Sequence, residues 1–134
     1  MRENTALEVD ATMTFERNNK GEYRTMMGVT PTQAAEFCAA EGASVIGANC
    51  GNGFAQMVDI VREMRATALS MPILVHANAG MPRNVDGHMV FNETPADAAG
   101  YVPALLDAGA NIIGGCCGTT PEHIAAIAVA VRGL

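Results

Sequence analysis

An α/β fold of four parallel β-α units, amounting to half of a (β/α)8 barrel, is what the sequence predicts, and three observations carry that prediction. Short apolar runs alternate with Ala-rich helical stretches, the pattern of parallel strands joined by helical crossovers. Three of the helical stretches open with the same pair, at Thr30-Pro31, Thr94-Pro95 and Thr120-Pro121. The stretch Gly42-Ala43-Ser44-Val45-Ile46-Gly47-Ala48-Asn49-Cys50 returns as Gly109-Ala110-Asn111-Ile112-Ile113-Gly114-Gly115-Cys116-Cys117 at one constant offset, so that Cys50 falls on Cys117.

Taken along the chain, residues 8–15 form the weakest strand candidate, rich in Thr and Val with an alternating look. Thr30 then supplies a helix N-cap and Pro31 suits the first helical position, where its missing N–H costs nothing. Gln33, three residues after Thr30, completes a capping box ahead of the helix over 34–40. A strand over 43–48 follows. Residues 54–69 read as an amphipathic helix, with Met57, Ile60, Val61, Met64 and Leu69 on one apolar stripe. The run 72–77 is the third strand, 96–108 a helix opened by Thr94-Pro95, 110–115 the fourth strand, and 123–131 the last helix. Nothing resembles a flexible linker, so 1–134 is expected to form a single domain.

The repeat favours a barrel over an open sheet. In a (β/α)8 barrel alternate strands feed the same interior layer, and functional groups sit at the C-terminal strand ends. The two repeated strands are separated by one strand and both end in cysteine at the same register. The rival, a doubly wound sheet, would carry G-x-G-x-x-G after its first strand, and that fingerprint is absent. A full barrel takes ~250 residues, whereas this chain has 134. Half a barrel leaves two open edges and an uncovered apolar face. The chain is therefore expected to form a homodimer, to join a chain supplying the other half, or to derive from a longer protein.

Composition narrows the function. Charged residues make up 16%, below the usual ~25%, which fits a surface partly covered by something else. Aromatic residues are only 4%, so the core must come from Ala, Val, Ile, Leu and Met. The net charge is −6 with eight scattered basic residues, which argues against nucleic acid or an anionic membrane as partner, since both need a clustered basic face. Residues 1–10 are polar and unlike a secretory signal. The longest apolar stretch, 124–131, is far short of the ~20 residues that span a bilayer. A cytoplasmic location is expected.

In that compartment cysteines serve more often as ligands, catalysts or core than as disulfides. Cys50, Cys116 and Cys117, converging on one barrel end, make a plausible zinc site: a catalytic zinc takes three protein ligands and leaves the fourth position open. Gly114-Gly115 and Gly118 allow the sharp turn that two adjacent ligands require, and Gly51 and Gly53 do the same beside Cys50. Zinc held by three thiolates carries a net negative charge and is a weak Lewis acid, poorly suited to hydrolysis. It is suited to binding a substrate thiol, whose pKa of ~8.5 falls strongly on coordination, so alkyl transfer to sulfur is the natural reaction. The competing readings are buried structural thiols or a vicinal disulfide at Cys116-Cys117. Cys38 reads as helix core. Asn49 and Asn78 either line the site or serve its turns. His76 reads as a core histidine, His123 as a local hydrogen-bonding group in the first turn of the last helix, and His88 as solvated.

Gly47-Ala48-Asn49-Cys50, the run Gly114-Gly115-Cys116-Cys117-Gly118-Thr119-Thr120-Pro121-Glu122-His123-Ile124, and Asn78-Ala79-Gly80-Met81-Pro82 together resemble the homocysteine S-methyltransferase family. The resemblance covers nearly the whole chain as strands five to eight of that family's (β/α)8 barrel. It implies Zn²⁺ held by Cys50, Cys116 and Cys117, homocysteine as acceptor and methionine as product. The donor it implies is a methyl-corrinoid, a methylated folate system, betaine or a methylsulfonium compound. It also brings Thr14 and Glu16, after the fifth strand, to the border of the substrate site beside Asn49 and Asn78. The family's strand-one motif of the Asp-Gly-Ala-Met-Gly type, which helps bind the amino acid, has no equivalent here. That departure sustains a second reading, a non-catalytic zinc-binding or assembly subunit or a truncated remnant. Thiol redox chemistry is disfavoured because no C-x-x-C occurs.

Overall fold

Four parallel strands form one sheet in the computed structural model, which describes residues 6–134. Of the polar stretch 1–10, residues 1–5 lie outside the described part. The chain runs β1 (Asp10–Met13), β2 (Glu16–Arg17), β3 (Tyr23–Arg24), α1 (Pro31–Ala40), β4 (Val45–Asn49), α2 (Phe54–Arg65) and β5 (Ile73–Ala77). It continues with β6 (Arg83–Val85), β7 (His88–Val90), α3 (Pro95–Gly100), α4 (Val102–Ala108), β8 (Ile112–Gly115) and α5 (Pro121–Arg132). The sheet order is β1-β4-β5-β8, so each crossover returns the chain beside the strand it left. The α/β class and the four parallel strands are as the alternation predicts.

Helix starts follow local chemistry. Thr30 Oγ1 accepts from Gln33 N–H at 3.2 Å while Gln33 Oε1 accepts from Thr30 N–H at 3.0 Å, the reciprocal capping box read from the sequence. Thr94 and Asp97 repeat the device for α3. The single helix expected over 96–108 is broken at Tyr101 into α3 and α4. Pro103 explains the break, since it lacks the N–H that the Ala99 carbonyl would need and its ring crowds that carbonyl.

Along β4 and β5, Ile46, Ala48, Ile73, Val75 and Ala77 are buried. Successive side chains on a strand point to opposite faces, so these residues share the face on which α1 and α2 pack. On α2, Met57, Ile60, Val61 and Met64 are fully buried, as the stripe predicts. Leu69 is not part of it: α2 stops at Arg65 and Leu69 is 80% exposed. The Arg65 guanidinium draws the following segment into a loop, donating from Nη1 to the carbonyls of Ala68 (2.6 Å) and Met71 (2.8 Å). Its Nη2 reaches Gly109 O (2.5 Å) and Asn111 Oδ1 (2.8 Å), which ties the entries of β5 and β8 together.

The opposite face carries Thr12, Gly47, Leu74 and Ile112 in one register row. The next row holds Asn49, His76 and Gly114. His76, expected as a core histidine, is thus half-buried on this second face, its ring lying across Gly114. Two antiparallel hairpins, β2-β3 and β6-β7, interrupt the alternation. The second turns through Asp86 and Gly87 with φ of 50° and 83°, the Asp-Gly signature of a two-residue hairpin loop. His88 lies on it, exposed. Among the described residues no helix is long and apolar enough to cross a membrane.

Replacing Arg65 with Ala removes charge-assisted hydrogen bonds to four acceptors and is expected to cost about 2–3 kcal/mol, read by urea unfolding. Arg65→Lys, which cannot fork between the same carbonyls, should recover only part of it.

Candidate metal centre

The two cysteine-bearing turns are built on the end of the central strand β5. Cys50 N–H donates to His76 O at 2.9 Å and Cys116 N–H to Ala77 O at 2.7 Å, extending the sheet's pairing one residue past each strand. Beyond the strand end, Ala79 N–H donates to Cys117 O at 2.9 Å, and Asn78 N–H to Asn52 O at 2.9 Å. Asn78 itself is 3% exposed. Its Oδ1 accepts from Cys117 N–H at 3.1 Å. Through its backbone N–H on one side and its side-chain oxygen on the other, one buried residue joins both turns.

Cys50 pays for its position in backbone strain. Its φ is 56°, a left-handed conformation costing a non-glycine residue roughly 1–2 kcal/mol. The surroundings hold it there: Asn52 N–H donates to Cys50 O at 2.8 Å, and Asn52 Nδ2 to Phe15 O at 2.6 Å. Gly51 lies so close to the segment after β1 that a Cβ would stand 2.8 Å from Phe15 O. On the other turn, Thr119 N–H and Oγ1 both donate to Cys116 O, at 3.2 and 2.7 Å. At Gly118, φ 79°, any side chain would overlap the Phe91 ring.

These turns bring three sulfurs together. Cys50 Sγ is 3.6 Å from Cys117 Sγ, which is 4.0 Å from Cys116 Sγ, and all three lie within 4.8 Å of one another. The thiols are free, and 4.0 Å is far beyond the ~2.05 Å of a disulfide. Tetrahedral coordination at a Zn–S distance of ~2.3 Å separates two sulfurs by roughly 3.8 Å. The sulfurs therefore stand close to the spacing zinc requires, and an all-thiolate donor set suits a soft or borderline metal.

The thiols are not equivalent. Burial pushes the Cys50 pKa up, but the Gly51 amide and hydrogen bonds from Cys117, Cys116 and Asn78 outweigh it, and the net shift is downward. Cys117 moves the other way, to about 11, through its hydrogen bonds to Cys50 and Cys116 and the charge they carry. One thiolate is favoured and its neighbour holds the proton, so filling the cluster with three thiolates needs a cation. Cys38 is buried in α1, and burial raises its pKa, as befits a core thiol.

The other expected site residues fall in distinct places. Asn49 sits on the second face, its Nδ2 donating to Thr14 Oγ1 at 3.4 Å. Thr14 and Glu16 are exposed and line one groove with Met13, Met26 and Val29. Asn78 lies beneath the sulfurs rather than at the surface. His123 makes the local bond expected, Nδ1 accepting from Thr120 N–H at 3.2 Å, and it also reaches Glu93 O from Nε2 at 2.9 Å. Asn52 and Glu93 went unread in the sequence. Asn52 follows Cys50-Gly51, where an Asn among glycines signals a side chain bonding nearby backbone. Glu93 lies just before Thr94-Pro95 and carried no signal of its own. Its carboxyl is raised in pKa chiefly by burial, offset in part by the Phe54 amide.

Comparison with known proteins gives a consistent picture. The family model described as homocysteine S-methyltransferase matches residues 1–131. The methionine synthase of Mycobacterium tuberculosis is 34% identical over 97 residues, 69% of this chain and 8% of that protein. That of Mycobacterium leprae is 35% identical over 94 residues, 67% of this chain and again 8% of the relative. The chain thus spans a small part of the curated relatives it matches. Among solved structures, the homocysteine methyltransferase MmuM from Escherichia coli, in its apo form, superposes with a TM-score of 0.60. It is 24% identical, and the match covers 79% of this chain and 34% of that one. At that identity the likeness speaks for the fold alone.

In reduced, metal-free protein at about pH 8, iodoacetamide should label Cys50 ahead of the more exposed Cys117, because thiolate content governs the rate. Cys38 should stay unlabelled until unfolding. Peptide mapping by mass spectrometry over a time course checks the order.

Proposed function

The chain belongs to the homocysteine S-methyltransferase family, and from that premise we propose that it forms the thiol-activating part of a zinc-dependent methyltransferase. The observation that carries the proposal is the cluster of Cys50, Cys116 and Cys117 sulfurs at the ends of two strands flanking β5. The three thiolates would hold Zn²⁺ and leave a fourth position for a substrate thiol, homocysteine in the first instance. Bound there, the ion supplies a weak Lewis acid that favours the thiolate form of the substrate near neutral pH.

The chain's own residues do the rest. Asn78 holds the Cys50 turn through Asn52 O and the Cys117 turn through its side-chain oxygen, so the sulfurs keep their spacing without a large reorganisation on loading. Asn49 and Thr14, bonded to each other on the second face, offer amide and hydroxyl groups to the polar end of the acceptor. Glu16, which lines the groove together with Met26, offers a carboxylate to its amine. In the reaction the acceptor thiol loses its proton, and a sulfur lone pair forms the S–CH3 bond. The bond between the methyl carbon and the donor breaks with its electron pair leaving on the donor. Donor candidates are a methyl-corrinoid, a methylated folate system, betaine or a methylsulfonium compound.

A complete site requires a completed barrel. β1 and β8 are the outer strands of the sheet. Met26 (96% exposed), Met27 and Phe37 stand open on the β1 side, and Ile112, Ile124 and Val131 on the β8 side. We assign these two borders to further β-α units, contributed by a second copy, another chain or the rest of a longer polypeptide.

Protein purified under reducing conditions should carry about one zinc per chain. Cys117→Ser should weaken the metal by at least tenfold, the lower end of what even an outer partner of a metal ligand costs. Metal analysis with native mass spectrometry reads both the zinc and the oligomeric state, and homocysteine methylation is then assayed with each donor class. Protein that takes up no zinc alone or with its natural partner contradicts the proposal. Full zinc with no methylation by any donor in a completed assembly would favour the binding or assembly role.

A further inference from the structure

Glu93 occupies a position that the chemistry above does not use. Its Oε2 accepts from Phe54 N–H at 3.4 Å, at the start of α2, whose own N-cap is Gly53 and supplies no side chain. Its N–H donates to Ala79 O at 3.0 Å, and Ala79 in turn donates to Cys117 O. Its carbonyl accepts from His123 Nε2 at 2.9 Å. Because His123 Nδ1 accepts from the Thr120 amide, the neutral ring carries its proton on Nε2, so this second bond is a donation from a defined tautomer. The helix that follows Cys50, the strand end beneath the sulfurs and the helix that follows Cys117 thus all converge on one residue.

Two glycines border the same side chain. A Cβ on Gly53 would lie 2.6 Å from Glu93 Oε1 and 3.1 Å from Gly80 Cα, and a Cβ on Gly80, whose φ of 87° already favours glycine, would lie 2.7 Å from Asn92 Oδ1 and 3.1 Å from Glu93 Cγ. Gly53 has φ −78° and ψ −179°, a conformation open to any residue, so its backbone does not demand glycine. The space does, because the Glu93 side chain is wedged between the Cys50 turn and the turn after β5. A carboxylate also suits the N-terminus of α2, where the helix dipole and free N–H groups favour negative charge.

We propose that Glu93 is the positioning residue of the three-cysteine centre, holding the Cys50 turn and the Cys116-Cys117 turn at a fixed separation through Phe54, Ala79 and His123. The proposal rests on the metal-centre reading given above, but its geometric part concerns the turns themselves and is tested with and without metal.

Cobalt(II) serves as the probe, since its d–d bands report coordination geometry and chelator competition gives its affinity. Glu93→Ala removes the side-chain arm to Phe54 while leaving the backbone bonds to Ala79 and His123, so the tether is cut on the Cys50 side. Gly53→Ala displaces the carboxylate without backbone strain. Glu93→Gln keeps the size and an acceptor oxygen. Both alanine variants should lose about tenfold in cobalt affinity and show altered d–d bands, whereas Glu93→Gln should stay within about twofold of the parent, the range in which outer partners of metal ligands act. If Glu93→Ala does not fold, Gly53→Ala carries the comparison. In metal-free protein, amide exchange in Glu93→Ala should speed up at Asn52 and Phe54 and also at Ala79 and His123. Parent-like affinity and bands in the folded alanine variants would overturn the proposal, as would a glutamine variant as weak as alanine. Should the parent bind no cobalt, the metal reading falls and exchange alone decides. Faster exchange at both turns upholds the tether, and a change confined to Phe54 reduces Glu93 to a helix cap.

Discussion

Everything at this site depends on the end of β5. Neither cysteine turn is held mainly by its own strand. Cys50 and Cys116 each donate to a carbonyl of β5, and the two segments beyond lean on Asn78 and Ala79 of the same strand's continuation. The parallel register sets the height of each turn: Asn49 pairs with His76, and Gly115 with Ala77. A slip of one residue in either pairing would turn one cysteine to the opposite face of the sheet. The internal repeat is met with a stagger: Ile46 and Ile113, equivalent in the repeat, pair with Ile73 and Val75, so β8 is shifted two residues along β5 relative to β4.

Strain and electrostatics follow from that arrangement. Three thiols held within 4.8 Å cannot all ionise without a counter-charge, because each thiolate disfavours the next. The opposed shifts of Cys50 and Cys117 express this. The left-handed Cys50 is a further cost, borne by Asn52 and by the close approach of Gly51 to Thr14 and Phe15. Local cost of this kind concentrates where function demands a geometry the chain would not choose, and here it is matched by bonds from residues on either side of the turn.

Much of this was open to inspection in the residues, and the part that was not has identifiable causes. Thr-Pro pairs and the alternating apolar runs revealed the helices and the parallel order because capping and periodicity are local properties. The paired Gly-Ala stretches disclosed which strands carry the cysteines. Pro103 and Asp86-Gly87 are local signals too, for a broken helix and a hairpin. Leu69 was misplaced because its periodicity continues past the point where Arg65 folds the chain back. That interaction is tertiary, and so are the bonds of Asn52, Asn78 and Glu93. Each of these side chains meets backbone from a distant segment, which no window of sequence displays. His76 reads as core in an apolar run, yet the pleat puts it on the second face beside Asn49.

X-ray absorption at the zinc edge of the metal-loaded protein bears most directly on the claim that the β5 end gathers three thiolates around one ion. Three sulfur neighbours at about 2.3 Å, with one lighter ligand completing four-coordination, is the expected result. One or two sulfurs, or a shell dominated by nitrogen and oxygen, would contradict it and leave the three cysteines as neighbours without a common ligand.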